Sequence, residues 1–483
     1  MIVGTTSKMK TETGAGRQPE QCDLIVRNGY VLTMDEERRV YADGSVAISG
    51  TRIAGVGPAR EIESRFRACR VIDAKGAPVH PGLIDGHYHA QLHLSRGSIT
   101  DNPNPPKEEG GSGPGVFVRW INAITDEDEY ASALMASVEL ARNGFTGYVE
   151  AGTAFEPDLV AAAAEAVGIR CSVTDCALWD LVGGEPMAAM IPRAPCDPKH
   201  ARKKLGEQLR KRSSSDGLVR AHVALYGVGS ASEELTQEAK RLADANRTVF
   251  HQHQNFMPAD AAYDRKRFGK PTLVYFAEKG LIGPNAVFTH MNVLEDAEVD
   301  AVVQSGMALV WHPGNFMYYG IAQLARSRFP ELHRRGTAIT FGTDVAKAWA
   351  FGELGFIAYL VSREWNDYLP SEALFEMFTL GGARALGMSD EVGSLATGKR
   401  ADIVIRTNDL PDAQPNVDVV RQLMLVSRTK SVSTVICNGE VIVRHGILTR
   451  LDEAAVYALG KASVARMAER TGVRAVQKWL VKA

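Results

Sequence analysis

The sequence predicts an α/β protein: a (β/α)8 TIM barrel with a small β-sandwich domain formed by both chain ends. Three observations carry that reading. Between residues 81 and 387, strand-like apolar runs alternate with helix-like ones. Both ends of the chain are written instead in short alternating runs closed by glycine. Histidines and an aspartate recur where the central strand-like runs stop, the edge on which barrel enzymes carry their chemistry.

Residues 1–22 are polar and rich in Gly, Thr and Lys, with no apolar signal-peptide core, and read as a disordered tail. From 23 to 80 the runs 24–29, 30–34, 45–50 and 53–57 are short strands ending in Gly or a turn. The stretch 388–451 repeats this style, with a run at 401–405 and a hairpin at 435–443 turning on Asn438-Gly439. Strands this short do not make a stable sheet alone, so 23–80 and 388–451 are expected to meet in one sandwich. In 81–387, helical patterns at 130–143, 159–167, 198–210, 233–245, 270–279 and 297–305 precede strand-like runs. Those runs are 147–150, 170–174, 218–225, 248–253, 286–290 and 307–312. With 79–85 and 338–342 they make eight. The loop 95–115, rich in Pro and Gly, follows the first of them and reads as a mobile lid over the barrel mouth. An amphipathic C-terminal helix over 452–483 reads as a packing or oligomer element.

Composition narrows the partners. The 483 residues are 45% hydrophobic, and a net charge of -2 gives no reason to expect nucleic acid or a membrane surface. No apolar run reaches membrane-spanning length. Six scattered cysteines without a CxxC pair read as reduced thiols of a cytoplasmic protein.

Around Asp85-Gly86-His87-Tyr88-His89 the spacing itself is informative. Side chains at i and i+2 of a strand share a face, so His87 and His89 can aim at one point. An isolated HxH equally suits two ordinary histidines on a half-exposed strand. Here the later strand ends add His251 or His253, His290 and Asp344. The parity of His251 equals that of His253, so the spacing leaves open which of them is the ligand.

These motifs resemble the amidohydrolase superfamily, metal-dependent hydrolases of the triazine-hydrolase and cytosine-deaminase type. The resemblance rests on 82–89 followed by Arg96-Gly97, on 249–253, on Thr289-His290, on Gly342-Thr343-Asp344 and on the signature 393–402. It covers about 23–443 and implies a site of neutral imidazoles and a carboxylate around one divalent metal. Zinc leads, with Fe2+, Co2+ or Mn2+ as alternatives, and a coordination position stays open for water. His87, His89 and His253 are then ligands. Asp344, on or beside the metal, is the base that takes the water's proton and later delivers it to the leaving amine. His290 polarises the carbonyl or holds the oxyanion. His251, Asn315, Phe256, Tyr318 and Trp349 are expected to contact the substrate.

Three departures from the family pattern shape the expected reaction. Deaminases of the family carry a Glu three residues beyond the strand-five ligand; here that position is Phe256 counted from His253, or Gln254 counted from His251. Neither transfers a proton, although Gln254 or Glu150 acting through water is an alternative shuttle. Strand four offers Arg220 and His222 where two-metal members carry a carboxylated Lys or a Glu, which favours one metal. After strand seven, 311–320 departs from the Pro-Thr-Ser-Asn of the triazine hydrolases. Aromatic residues dominate the strand ends, and Lys347 and Arg96 are the few cations near them. The expected activity is hydrolysis of a C–N bond next to a carbonyl, in an amide, urea or carbamate. A neutral aromatic small molecule is the expected substrate, as in the phenylurea and molinate hydrolase branch of xenobiotic degradation. The alternative is a deaminase or dechlorinase of a triazine, purine or pyrimidine. A homo-oligomer is expected from the same resemblance.

Overall fold

The computed structural model describes residues 18–99, 115–212, 216–345, 348–473 and 479. The span 1–17 of the expected tail, 100–114 of the expected lid and Lys347 lie outside them. So do 474–478 and 480–483 of the expected C-terminal helix.

Eight parallel strand positions make the barrel. They are Leu83–Tyr88, Phe145–Glu150, Arg170–Val173, the pair Val219–Ala221 and Val223–Gly227, Phe250–Gln254, Ala286–His290, Ala308–Trp311 and Ala338–Phe341. We call them barrel strands one to eight. Strands in a barrel are covered on both faces, which is why these runs read as nearly continuous apolar text. Strand four is interrupted at His222. Its first part pairs with strand three and its second with strand five. Strands eight and one close the ring through Asp344, whose N–H donates to the His87 carbonyl (2.9 Å) and whose carbonyl accepts from the His89 N–H (3.2 Å). Asp85, fully buried below the ligand strand end, accepts from Thr343 N at 3.1 Å and from His87 N at 3.0 Å. It ties the same two strands together.

The intervening helices start and stop on local chemistry. Asp126–Arg142 opens on a capping box, with Thr125 accepting from Asp128 N. Pro157–Val167 opens on proline and ends at Gly168, which has φ 89°. Both are alanine-rich and pack closely against one another and against strands two and three.

At the other edge, strands from both chain ends pair. The order is Ile447–Leu448, Glu440–Arg444, Val432–Cys437, Ile403–Arg406, Pro78–Pro81, Glu20–Leu32, Val40–Ser49 and Arg52–Pro58, with Phe66–Asp73 also on Glu20–Leu32. One hydrogen-bonded sheet of nine strands therefore stands where two packed sheets were expected. The ladder runs unbroken across Pro78–Pro81, which pairs with both ends of the chain. Alternating residues of the sheet feed two apolar clusters. Val26, Val46 and Ile403 share one, while Ile25, Ala47 and Phe66 pack with Ile62 of the short helix Ala59–Arg65 in the other. The sheet begins at Glu20, inside the stretch read as a tail.

The chain passes from sheet to barrel at Gly82. The expected first barrel run, 79–85, is thus two elements, Pro78–Pro81 in the sheet and Leu83–Tyr88 in the barrel. A side chain at Gly82 would meet Thr146 Oγ1 at 1.9 Å, so only glycine lets strand two approach here. Sheet and barrel are clamped by a buried bidentate pair: Arg170 Nε and Nη2 donate to Asp402 at 2.7 and 2.9 Å. Nη2 also reaches Asn438 at 2.8 Å. The helix Glu453–Thr471 lies on Asp126–Arg142, where buried Asp128 accepts from Ser463 (2.8 Å) and pairs with Arg466 and Arg470. No helix among the described residues is long and apolar enough to cross a membrane.

Candidate metal centre

Three imidazoles meet at the C-terminal mouth of the barrel. His87 and His89 end strand one and His253 ends strand five, and one nitrogen from each lies within 4.8 Å of the others. The Nε2 atoms of His87 and His253 stand 3.2 and 3.4 Å from the Nε2 of His89. A tetrahedral ion about 2.0–2.1 Å from each imidazole nitrogen sets its ligand nitrogens about 3.3 Å apart. The spacing fits.

The other ring nitrogens are all held. Nδ1 of His253 donates to the Tyr226 carbonyl (2.8 Å), which leaves Nε2 as the unprotonated face. Nδ1 of His89 bonds Thr153 Oγ1 (2.7 Å), and Nδ1 of His87 bonds Nε2 of His251 (2.7 Å). Outer partners of this kind orient metal-ligating histidines and fix their tautomers. Burial drives His87 and His290 well below the usual imidazole range and His253 down to about 3. Neutral lone pairs that face one another repel unless a cation shares them. This donor set suits a divalent ion.

Asp344 stands beside the cluster, with Oδ1 2.9 Å from His89 Nε2 and the other oxygen bonded by Asn315 Nδ2. Its backbone is in the left-handed region (φ 61°), as are His290 (φ 71°) and Met291 (φ 50°) beyond strand six. Non-glycine residues hold that conformation only where their surroundings impose it. Strain here falls on two residues that aim into the site.

A cavity of about 290 Å3 opens over the cluster, with His89, His253, His290 and Asp344 in its wall. Phe256 also lines it, its ring 4.4 Å from that of His290, and so do Tyr226 and Tyr319. Not every residue picked from the sequence is there. His251 is fully buried one pleat below His253 and touches His87 instead of the cavity. Asn315 is equally enclosed, is not in the cavity wall and donates to Asp344. Tyr318 is not in the cavity wall, because consecutive residues of a helical turn point about 100° apart. Its neighbour Tyr319 takes the wall position. Trp349 packs on Gly314, where a Cβ would meet its ring at 2.5 Å, and is not part of the cavity wall. Arg96 turns away to Glu139 (2.6 Å).

Several wall residues carried no readable signal. Thr153, Gln91, Glu185 and Asp260 come from loops and helix starts, where no periodicity marks direction. Glu150, considered above as a shuttle, is buried and accepts from the N–H groups of Gly152, Thr153 and Ala154 at 2.9–3.3 Å. It builds the turn that presents Thr153 to His89.

Residues 79–442 match the model of the amidohydrolase family. Over 451 residues the chain is 29% identical to a 5-methylthioadenosine/S-adenosylhomocysteine deaminase of Syntrophobacter fumaroxidans, covering 90% of this chain and 96% of that one. It is 30% identical over 440 residues to a 5'-deoxyadenosine deaminase of Methanothermobacter thermautotrophicus, covering 88% and 95%. Among solved structures, a zinc-bound adenosine deaminase of Xanthomonas campestris superposes with TM-score 0.83 at 24% identity, over 93% of this chain and all of that one. The zinc complex of an atrazine chlorohydrolase from Arthrobacter aurescens superposes with TM-score 0.76 at 21% identity, over 91% and 100%.

Proposed function

The chain belongs to the amidohydrolase family, and on that premise we propose that it deaminates an aminated heterocycle of the adenosine type with one bound divalent metal, zinc first. Membership makes it a metal-dependent hydrolase of non-peptide C–N bonds. The observation that carries the finer reading is the near-full-length likeness to two deaminases of adenosine derivatives. The reading from sequence alone placed amide, urea or carbamate hydrolysis first and a heterocycle deaminase second. The relatives favour the reverse order, and the two deaminases give no support to a phenylurea-type substrate or a role in xenobiotic degradation. The six cysteines are all free thiols, in keeping with a cytoplasmic enzyme.

His87, His89 and His253 would hold the ion, with Asp344 on or beside it. When bound, the metal supplies Lewis acidity and lowers the pKa of a coordinated water. Asp344 Oδ1 takes the proton of the attacking water and carries it to the departing amine, because an amide anion is too basic to leave unprotonated. Asn315 keeps the second carboxylate oxygen occupied and so fixes which one works. His290, its Nδ1 without a hydrogen-bond partner among the described residues, faces the oxygen or nitrogen that gains charge as water adds. Phe256 and Tyr226 give the cavity aromatic surface for a planar heterocycle.

One observation favours the second reading. A ring-nitrogen substrate needs a proton donor, and Phe256, three residues beyond His253, has none; a carbonyl-linked C–N bond needs no such donor. The test is product identification. Metal-loaded protein is incubated with adenosine, 5'-deoxyadenosine, an N-aryl urea and an anilide, and products are identified by mass spectrometry. Ammonia and the hydroxylated heterocycle establish deamination. Release of an aniline alone would return the carbonyl reading to first place.

A further inference from the structure

We infer that the cavity over the metal centre sorts substrates by the charge of the tail they carry, accepting neutral or cationic, donor-bearing tails and rejecting anionic ones. This deepens the deaminase reading and rests on it for the heterocyclic core of the substrate.

The observations are independent of the histidine cluster. Two carboxylates, Glu185 and Asp260, line the cavity from different elements. Glu185 precedes the single turn Pro186–Met190, and Asp260 lies in the first turn of the helix Pro258–Phe268. Each spends one oxygen on a backbone N–H, Glu185 on Met187 at 3.1 Å and Asp260 on Met257 at 2.9 Å. Both are only partly exposed, and burial raises the pKa of each, with the charge of Asp260 adding to the effect on Glu185. Two carboxylates thus face one cavity, where a cation or hydrogen-bond donors on a bound tail would meet them with favourable sign.

A third group points the same way. Gln91 lines the cavity at 4% exposure, and its Oε1 has no hydrogen-bond partner among the described residues. A buried acceptor left unpaired is costly unless a ligand or water supplies the donor. Among the described residues of the wall there is no lysine or arginine to receive an anion. The charged groups of the described rim are thus carboxylates, while the floor carries imidazoles and Asp344. The chemical class this fits is an aminated heterocycle whose tail carries hydroxyl or ammonium donors and no carboxylate or phosphate.

The test uses three compounds that share the adenosine core and carry a cationic, a neutral and an anionic 5' group: 5'-amino-5'-deoxyadenosine, 5'-deoxyadenosine and adenosine 5'-carboxylic acid. Binding to the full-length, metal-loaded protein is measured by calorimetry, and ammonia release is followed in parallel. We expect the cationic compound to bind roughly a hundredfold more tightly than the anionic one at low salt, and the ratio to shrink as salt screens the carboxylates. The double variant Glu185→Gln, Asp260→Asn keeps an acceptor for each backbone N–H and should bring that ratio to within about threefold. Equal binding of all three compounds, or an unchanged ratio in a folded double variant, overturns the inference. The expected order in binding without release of ammonia from any compound leaves charge selection standing and defeats the deaminase reading. No binding of any of the three overturns both.

Discussion

Two layers of histidine share the inside of this barrel, and they differ in what their nitrogens do. In the upper layer His89 and His253 each turn Nε2 to a common point and have Nδ1 held by Thr153 or the Tyr226 carbonyl. One layer lower, His251 and His222 sit with rings 5.8 Å apart, fully enclosed by the barrel. Nδ1 of His251 and Nε2 of His222 have no hydrogen-bond partner among the described residues. His87 bridges the layers, giving Nε2 to the upper cluster and Nδ1 to His251. Alternation along a strand therefore selects a face of the sheet, and depth along the barrel axis selects the chemistry. A histidine two residues earlier on the same strand meets a ring of the candidate metal centre from below instead of facing its common point.

The largest effect should come from the upper layer. Asp344→Asn retains the shape and the Asn315 contact but removes the proton carrier, and should lower kcat by about a thousandfold or more with an unchanged melting profile. Wild-type-like turnover in that variant would remove Asp344 as the base. Next, His253→Asn and His251→Asn should separate the layers by metal analysis of purified protein. The His253 variant should lose its metal, while the His251 variant should keep it with affinity weakened about 10–100-fold, the usual cost of deleting an outer partner. Equal loss in the two variants would break the comparison. A smaller effect is expected of Thr153→Val, which takes one hydrogen bond from His89 Nδ1; a metal affinity about tenfold weaker would place Thr153 in the same supporting role.

Much of this was legible in the chain. His87, His89, His253, His290 and Asp344 stand at strand ends in the sequence, and the structure brings all five to one mouth. What stayed hidden was whatever depends on three-dimensional neighbours. His251 and His253 have the same parity, so only the depth of the pleat tells them apart. Tyr318 and Tyr319 are adjacent aromatics, and the exit angle of a short helix decides which faces the cavity. Glu185 and Asp260 lie outside the strands, and no periodicity reports where a loop folds back. The sheet at the chain ends was visible as β text, but its joining into one ladder hangs on Pro78–Pro81, four residues that looked like the start of the barrel.

The lower layer makes the smallest prediction, and it concerns pH. Burial pushes His222 from its ordinary value of 6.5 down to about 3, so the folded chain keeps this ring neutral where the unfolded chain protonates it. The unfolded state then binds more protons between those two values, and stability must fall as pH drops below about 6.5. At pH 5 the part due to His222 alone reaches up to about 2 kcal/mol, from 1.4 kcal/mol per unit. Thermal melts of wild type and His222→Asn at pH 7 and pH 5 measure it as the difference between two differences. A smaller acid-induced drop in the variant marks His222 as a buried neutral ring of the supporting layer. An identical drop would mean that His222 gains a proton in the folded protein, and the two layers would then differ less than their geometry says.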